Sequence, residues 1–89
     1  MRLNPVYKLR TVAGENMLLN TGRKTVDLAN VFSLNDSAAW LWRKIGNQEF
    51  TEEQLVEWVL DEYDVDADVA RADVHDMLLI WHKYGMLID

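Results

Sequence analysis

The chain has no cysteine, a single proline (Pro5) and four glycines in 89 residues. Without thiols there is no disulfide, no thiolate nucleophile and no cysteine-ligated zinc. Gly14, Gly22, Gly46 and Gly85 each stand at a break between patterned segments, so no glycine-rich phosphate loop is present. No apolar run approaches the roughly 20 residues that a transmembrane helix needs. The opening Met1-Arg-Leu-Asn-Pro5 has no apolar core of a signal peptide, so a cytoplasmic protein without membrane contact is expected. Positive charge is also scarce. Nine Lys and Arg stand against fifteen Asp and Glu, a formal charge of −6. Nucleic-acid binding draws on phosphate neutralisation by basic side chains, so it is an unsuited partner. Most acids lie between Glu49 and Asp76, whereas Arg2, Lys8, Arg10, Arg23 and Lys24 lie toward the N-terminus, where a peptide carrying acids would be attracted.

Catalytic groupings are equally thin. The two histidines, His75 and His82, are seven apart on one expected helix. That puts them ~10 Å apart, too far to share a metal at Zn–N bonds of ~2 Å. Asp64, Asp66 and Asp68 imitate a calcium loop only in acidity: Val69 stands where the glycine turn belongs, and no Glu closes the loop. Asp73 and Asp76 have no third ligand or base beside them. Ser33 and Ser37 lack a glycine elbow and a nearby histidine. The expectation is a protein that is not an enzyme and uses neither metal nor cofactor.

What the chain does have is apolar material, 49% of residues with four tryptophans. A domain of this length buries roughly 60–65% of its unfolded surface, enough for one modest core across residues 1–89. The pivot of the pattern is Asn30 to Trp42. Val31 to Leu34 is short, β-prone and apolar, and reads with Asn30 as a strand. The period then changes: Ala38, Leu41, Trp42 and Ile45 fall at i, i+3, i+4 and i+7, one face of a helix. Asn35 at the junction is a strong N-cap, and Asp36 opposes the positive end of the helix dipole. This helix is expected over Asp36 to Lys44 or Ile45, stopped by Gly46 in a left-handed C-cap.

Upstream, Tyr7, Leu9 and Thr11 alternate with Lys8, Arg10 and Val12, a period-two strand. Ala13-Gly14 is a turn, and Glu15 to Leu19 returns as a second strand to close a hairpin. Downstream, Thr51-Glu-Glu-Gln54 is a capping box, with Phe50 and Leu55 placed as a hydrophobic staple. Leu55, Trp58, Val59 and Tyr63 are the expected buried stripe of this second helix. Asp66 is the expected cap of a third, whose stripe is Ala70, Val74, Met77, Leu78 and Trp81; Leu79 and Ile80 lie off it. Trp42, Trp58 and Trp81 are expected in the core and Trp40 partly exposed. Met86 to Ile88 is expected to fold back as a strand fragment or to pack on the core. Three strands followed by three helices make an α+β domain resembling a winged helix-turn-helix, with its three-stranded antiparallel sheet first.

If the strands are ordered one-two-three, the third is an edge strand. Edges offer unpaired N–H and C=O groups and must be covered or used, and Asn30 to Leu34 carries neither proline nor charge to blunt it. Coverage by Thr25–Ala29 or by Met86–Ile88, or pairing with a second copy, are the plain alternatives.

Taken in order, Tyr7-Lys-Leu-Arg with its hairpin, Val31-Phe-Ser-Leu-Asn35, Ala38-Ala-Trp-Leu-Trp42, Phe50-Thr51, the Tyr63 segment, Ala72-Asp-Val74 and Gly85-Met-Leu87 resemble the PqqD-like family, named for the pyrroloquinoline quinone synthesis protein D. The chain departs at Thr25 to Ala29, a longer approach to the third strand. The resemblance implies a non-catalytic precursor-peptide recognition element. Such a domain takes the leader of a ribosomally made peptide as an added strand between the third strand and the third helix, and hands it to a modifying enzyme, in the founding pathway a radical S-adenosylmethionine protein. By position, the leader would pair with Val31, Phe32, Ser33 and Leu34 and rest its side chains on Arg71, Val74, Leu78 and Trp81. This accords with strand addition, in which an open edge gives affinity and side-chain pockets give specificity. A winged-helix transcriptional regulator, disfavoured by the charge, and a structural homodimer through the same edge are the other two readings.

Overall fold

The computed structural model describes residues 1–22 and 31–88. In chain order the elements are β1 (Arg2–Leu3), β2 (Tyr7–Val12), β3 (Glu15–Asn20), β4 (Val31–Leu34), α1 (Asp36–Ile45), α2 (Glu52–Glu62), α3 (Ala67–Lys83) and β5 (Leu87–Ile88). The fold is α+β, a three-stranded antiparallel sheet followed by three helices. The expected strands are β2, β3 and β4. The two-residue strands β1 and β5 pair with each other as a separate ladder, so the C-terminal fragment does form and does not lie on β4. Thr25–Ala29 lies outside the described residues. The chain divides into two compact units, Leu3–Asn47 and Met1–Arg2 with Gln48–Asp89.

In the first unit the sheet order is β2-β3-β4. Leu18 on the central strand stands between Leu9 and Phe32 in register and is fully buried. The β2–β3 hairpin closes on Ala13 and Gly14, with Val12 paired to Glu15. Both loop residues have positive φ, +52° and +82°, as a type I′ turn requires. Glycine meets that demand freely, whereas alanine in this region is strained by roughly 1–2 kcal/mol. Ala13→Asn should therefore stabilise the protein by about 0.5–1 kcal/mol, since Asn tolerates the conformation. A rise in urea midpoint at constant m-value is the check; an unchanged or lower midpoint would show that the turn does not carry the strain.

Helix α1 starts where the local signals put it. Asn35 Oδ1 accepts from the Ala38 N–H at 2.8 Å. Its end differs in detail: Gly46 has φ +59° but ψ −128°, outside the left-handed helical region and in territory that nearly only glycine occupies. A polar chain unforeseen in the sequence joins three elements. Arg43 donates to Thr11 Oγ1 at 2.9 Å, Thr11 donates to Asn16 Oδ1 at 3.3 Å, and Asn16 Nδ2 donates to Asp36 Oδ1 at 2.9 Å. Asn16 is the one polar residue in the described core, and this chain satisfies its amide.

In the second unit, Thr51 Oγ1 accepts from the Gln54 N–H at 3.1 Å to open α2, and both staple residues, Phe50 and Leu55, are buried. The backbone of Phe50 exchanges two hydrogen bonds with Met1, at 3.1 and 2.9 Å. The α2 stripe is rotated from expectation. Leu55 and Val56 are buried, Trp58 and Val59 are half-buried, and Tyr63 is exposed. The spacings 55/58/59 and 55/56/59 both describe one helical face, and only packing chooses between them. Helix α3 is capped at Asp66, although no side-chain bond is made there. Its buried line is Ala70, Val74, Leu78 and Trp81, with Met77 half-buried. Gly85 turns the chain at φ +75°, and the N–H of buried Met86 donates to the Trp81 carbonyl at 2.9 Å.

Candidate functional site

Two surfaces stand out, one on each unit. On the sheet, β4 is the terminal strand, paired to β3 through Asn16↔Leu34, Met17↔Ser33, Leu18↔Phe32 and Leu19↔Val31. Among the described residues no further strand follows it. The opposite edge, β2, carries exposed Lys8 and Arg10, charges of the kind that discourage further pairing. Val31–Leu34 itself carries no charged side chain. Its Ser33 is exposed, Val31, Phe32 and Leu34 are half-buried, and the Phe32 ring lies 6.3 Å from that of Tyr7 in a tilted contact.

On the helical unit, α3 presents three distinct faces. The first is the buried line just described, which includes the expected site residues Val74, Leu78 and Trp81. The second is turned to α2: Arg71 pairs with Glu53 at 3.6 Å and His75 Nδ1 lies 3.1 Å from Glu52. Expected site residue Arg71 thus stands on the α2 side of its helix. The third face, on the other flank, holds Val69, Asp73, Asp76 and Ile80 at i, i+4, i+7 and i+11. All four are exposed, Val69 by 48% and Ile80 by 54%. Sequence periodicity had separated Ile80 from the core line, but only the Arg71 and His75 contacts to α2 show which flank it occupies.

A shallow cavity of about 180 Å³ in the sheet unit is lined by Leu3, Pro5, Tyr7, Leu9, Trp42 and Arg43, among others, with no carboxylate or imidazole. Among the described residues no group of three or more His, Asp or Glu gathers to hold a metal ion. Trp40 is half-buried, as expected, with the Lys44 ammonium 5.6 Å from its ring centre. No helix among the described residues is long and apolar enough to cross a membrane.

Compared with curated proteins by sequence, the chain has no match. Compared by structure, it is similar to TbiB1, solved in complex with the TbiA(beta) leader peptide. The TM-score is 0.74 and the identity 20% over the whole of both chains, so the two share a fold. The family described as coenzyme PQQ synthesis protein D (PqqD) matches residues 15–87, from the hairpin through all three helices to β5. A match over that much of the sequence places this chain in the PqqD family.

Proposed function

We propose that this chain is a single non-catalytic recognition domain that captures the leader of a ribosomally made precursor peptide. The leader joins the sheet as a new strand on β4 and is presented, in the cytoplasm where such peptides are made, to a modifying enzyme of the radical S-adenosylmethionine type. Synthesis of the quinone coenzyme that names the family is one pathway such a domain serves. The observation that carries the reading is the terminal position of β4 in the three-stranded sheet among the described residues. Backbone pairing there gives affinity, while side-chain surfaces beside it give selectivity. Family membership supports the reading, and so does TbiB1, whose solved structure holds a leader peptide. In this proposal Val31, Phe32, Ser33 and Leu34 pair with the leader. Of the α3 residues proposed to meet the leader, Arg71 is exposed on the α2 side, and Val74, Leu78 and Trp81 are buried and hold that helix in place.

The test is amide exchange on the full chain, with and without synthetic leader peptides of ribosomally made precursors. At a peptide concentration one hundred times Kd, amides that exchange only from the unbound form should slow by roughly 100-fold. That protection is expected in β4, with chemical-shift changes in α3. Changes confined to other elements would reject strand addition at β4.

A further inference from the structure

The direction of every main-chain group in the three-stranded sheet follows from its first hairpin. In an antiparallel ladder the N–H and C=O of one residue point to the same side, and successive residues alternate. The Thr21 N–H donates to the Val6 carbonyl at 2.7 Å, so Val6 is turned toward β3, and by alternation so are Lys8, Arg10 and Val12. The Tyr7 N–H, between them, points the other way and donates to the Asn4 carbonyl at 3.1 Å. The two-residue turn at Ala13 and Gly14 requires the same phase, because Val12↔Glu15 is the hydrogen-bonded pair that closes it. On β3, Glu15, Met17 and Leu19 therefore bond β2, while Asn16 and Leu18 turn to β4 and meet Leu34 and Phe32. The register runs one to one through both ladders, so no bulge shifts the phase. Val31 and Ser33 are left as the residues whose N–H and C=O β4 directs away from β3. Among the described residues neither makes a main-chain hydrogen bond elsewhere.

We infer that the leader is hydrogen-bonded through the main chain of Val31 and Ser33 alone, and that Phe32 and Leu34 keep their main-chain bonds to β3 with the leader in place. The inference rests on the proposed function and divides its four β4 residues into two kinds. A strand laid on this edge alternates in the same way, so leader N–H groups at positions i and i+2 face β4 and the one between them faces away. That spacing holds whether the leader runs parallel or antiparallel to β4. The peptide class is thereby defined by its backbone. Proline or any N-substituted residue is excluded at i and i+2, where the N–H is needed, and accepted at i+1, where it is not. An edge with two outward residues offers two donors and two acceptors, so each leader N–H is a large share of the pairing.

Amide exchange on the full chain alone reads the phase. Phe32 and Leu34 should exchange slowly and Val31 and Ser33 fast; slow exchange at Val31 and Ser33 without any peptide would overturn the inference. The bound state is probed with a peptide selected from a phage-displayed random library on the immobilised full chain and then made synthetically. At saturation it should bring Val31 and Ser33 down to the slow rates of their neighbours, erasing the alternation. N-methylation of that peptide, one residue at a time, should weaken binding about tenfold at two positions two residues apart and leave the position between them near the parent affinity. A profile without this alternation overturns the inference and leaves the proposed function standing. Ser33→Pro removes an N–H that the sheet does not use, at an edge position where proline is tolerated. It should unfold cooperatively like the parent and bind the peptide at least about tenfold more weakly. Undiminished binding would overturn the inference, and the N-methyl series decides the matter on the parent chain if the variant does not fold. If no selected or leader peptide slows any β4 amide, the proposed function fails and the inference falls with it.

Discussion

Trp81→Ala should cost about 4 kcal/mol, the largest loss expected from any single truncation in this chain. Trp81 is only 2% exposed, on the buried line of α3, and is the largest of the fully enclosed side chains. Removing it deletes an indole's worth of apolar burial and leaves a cavity that surrounding side chains refill only in part. The carbonyl of residue 81 also accepts the Met86 N–H, so the turn at Gly85 and buried Met86 are set by the same point on the helix. At 0.05–0.15 kcal/mol per residue, a chain of this length has a total stability of about 4–13 kcal/mol. The variant thus loses between about a third and all of that stability. Urea unfolding followed by circular dichroism is the measurement, with Trp81→Phe as a companion expected to lose about half as much. A loss below about 1 kcal/mol for Trp81→Ala would mean that the site collapses around the gap, which close packing elsewhere makes hard to achieve.

The parts of this architecture legible in the sequence are those decided within a few residues. Asn35 and Thr51 cap their helices because a short polar side chain reaches the N–H three residues on, whatever the rest of the chain does. The strand-to-helix change at Asn35 is likewise a change of period, visible without any tertiary information. The position of β4 followed from strand order, and its bareness from the absence of Lys, Arg and Pro in Val31–Leu34. Features set by distant partners were hidden. β1 is two residues long and has no period of its own; it exists because β5, more than eighty residues later, pairs with it. Val56 displaced Trp58 from the α2 core because both satisfy the same helical spacing. The site shows the same division. Arg71, Val74, Leu78 and Trp81 share α3, but the Arg71–Glu53 ion pair and the burial pattern sort them into a flank and a core line, leaving Val69, Leu79 and Ile80 as the exposed apolar positions. Local sequence fixed the helix; its rotation came from packing.

Asn16→Asp is the sharpest test of the other long-range feature, since the substitution keeps size and shape and changes one donor into an acceptor. Asn16 is 8% exposed and its Nδ2 donates to Asp36 Oδ1, twenty residues away, at 2.9 Å. Asp36 belongs in the first turn of α1, where a negative charge is favoured by the helix dipole, and the Asn16 amide holds it there. With a carboxylate at position 16, two acidic groups meet at hydrogen-bonding distance and one of them is buried. A buried charge without a partner costs about 3–5 kcal/mol. The Asp36 side is exposed to water, which screens the repulsion, so about 2–3 kcal/mol is expected for Asn16→Asp. Thr11 still donates to the new side chain, so the loss belongs to the Asp36 contact and not to the whole polar chain. Asn16→Leu separates shape from charge: it removes the bond without adding repulsion and should cost about 1–2 kcal/mol. The decisive variant adds Asp36→Asn to Asn16→Asp. It restores a donor facing a carboxylate with the roles exchanged, and should recover most of the loss in a double-mutant cycle of urea midpoints. If Asn16→Asp unfolds within about 0.5 kcal/mol of the parent, or the second substitution recovers nothing, the amide does not tie β3 to the start of α1. The helix that follows β4 would then be held by its apolar face and the Arg43–Thr11 bond.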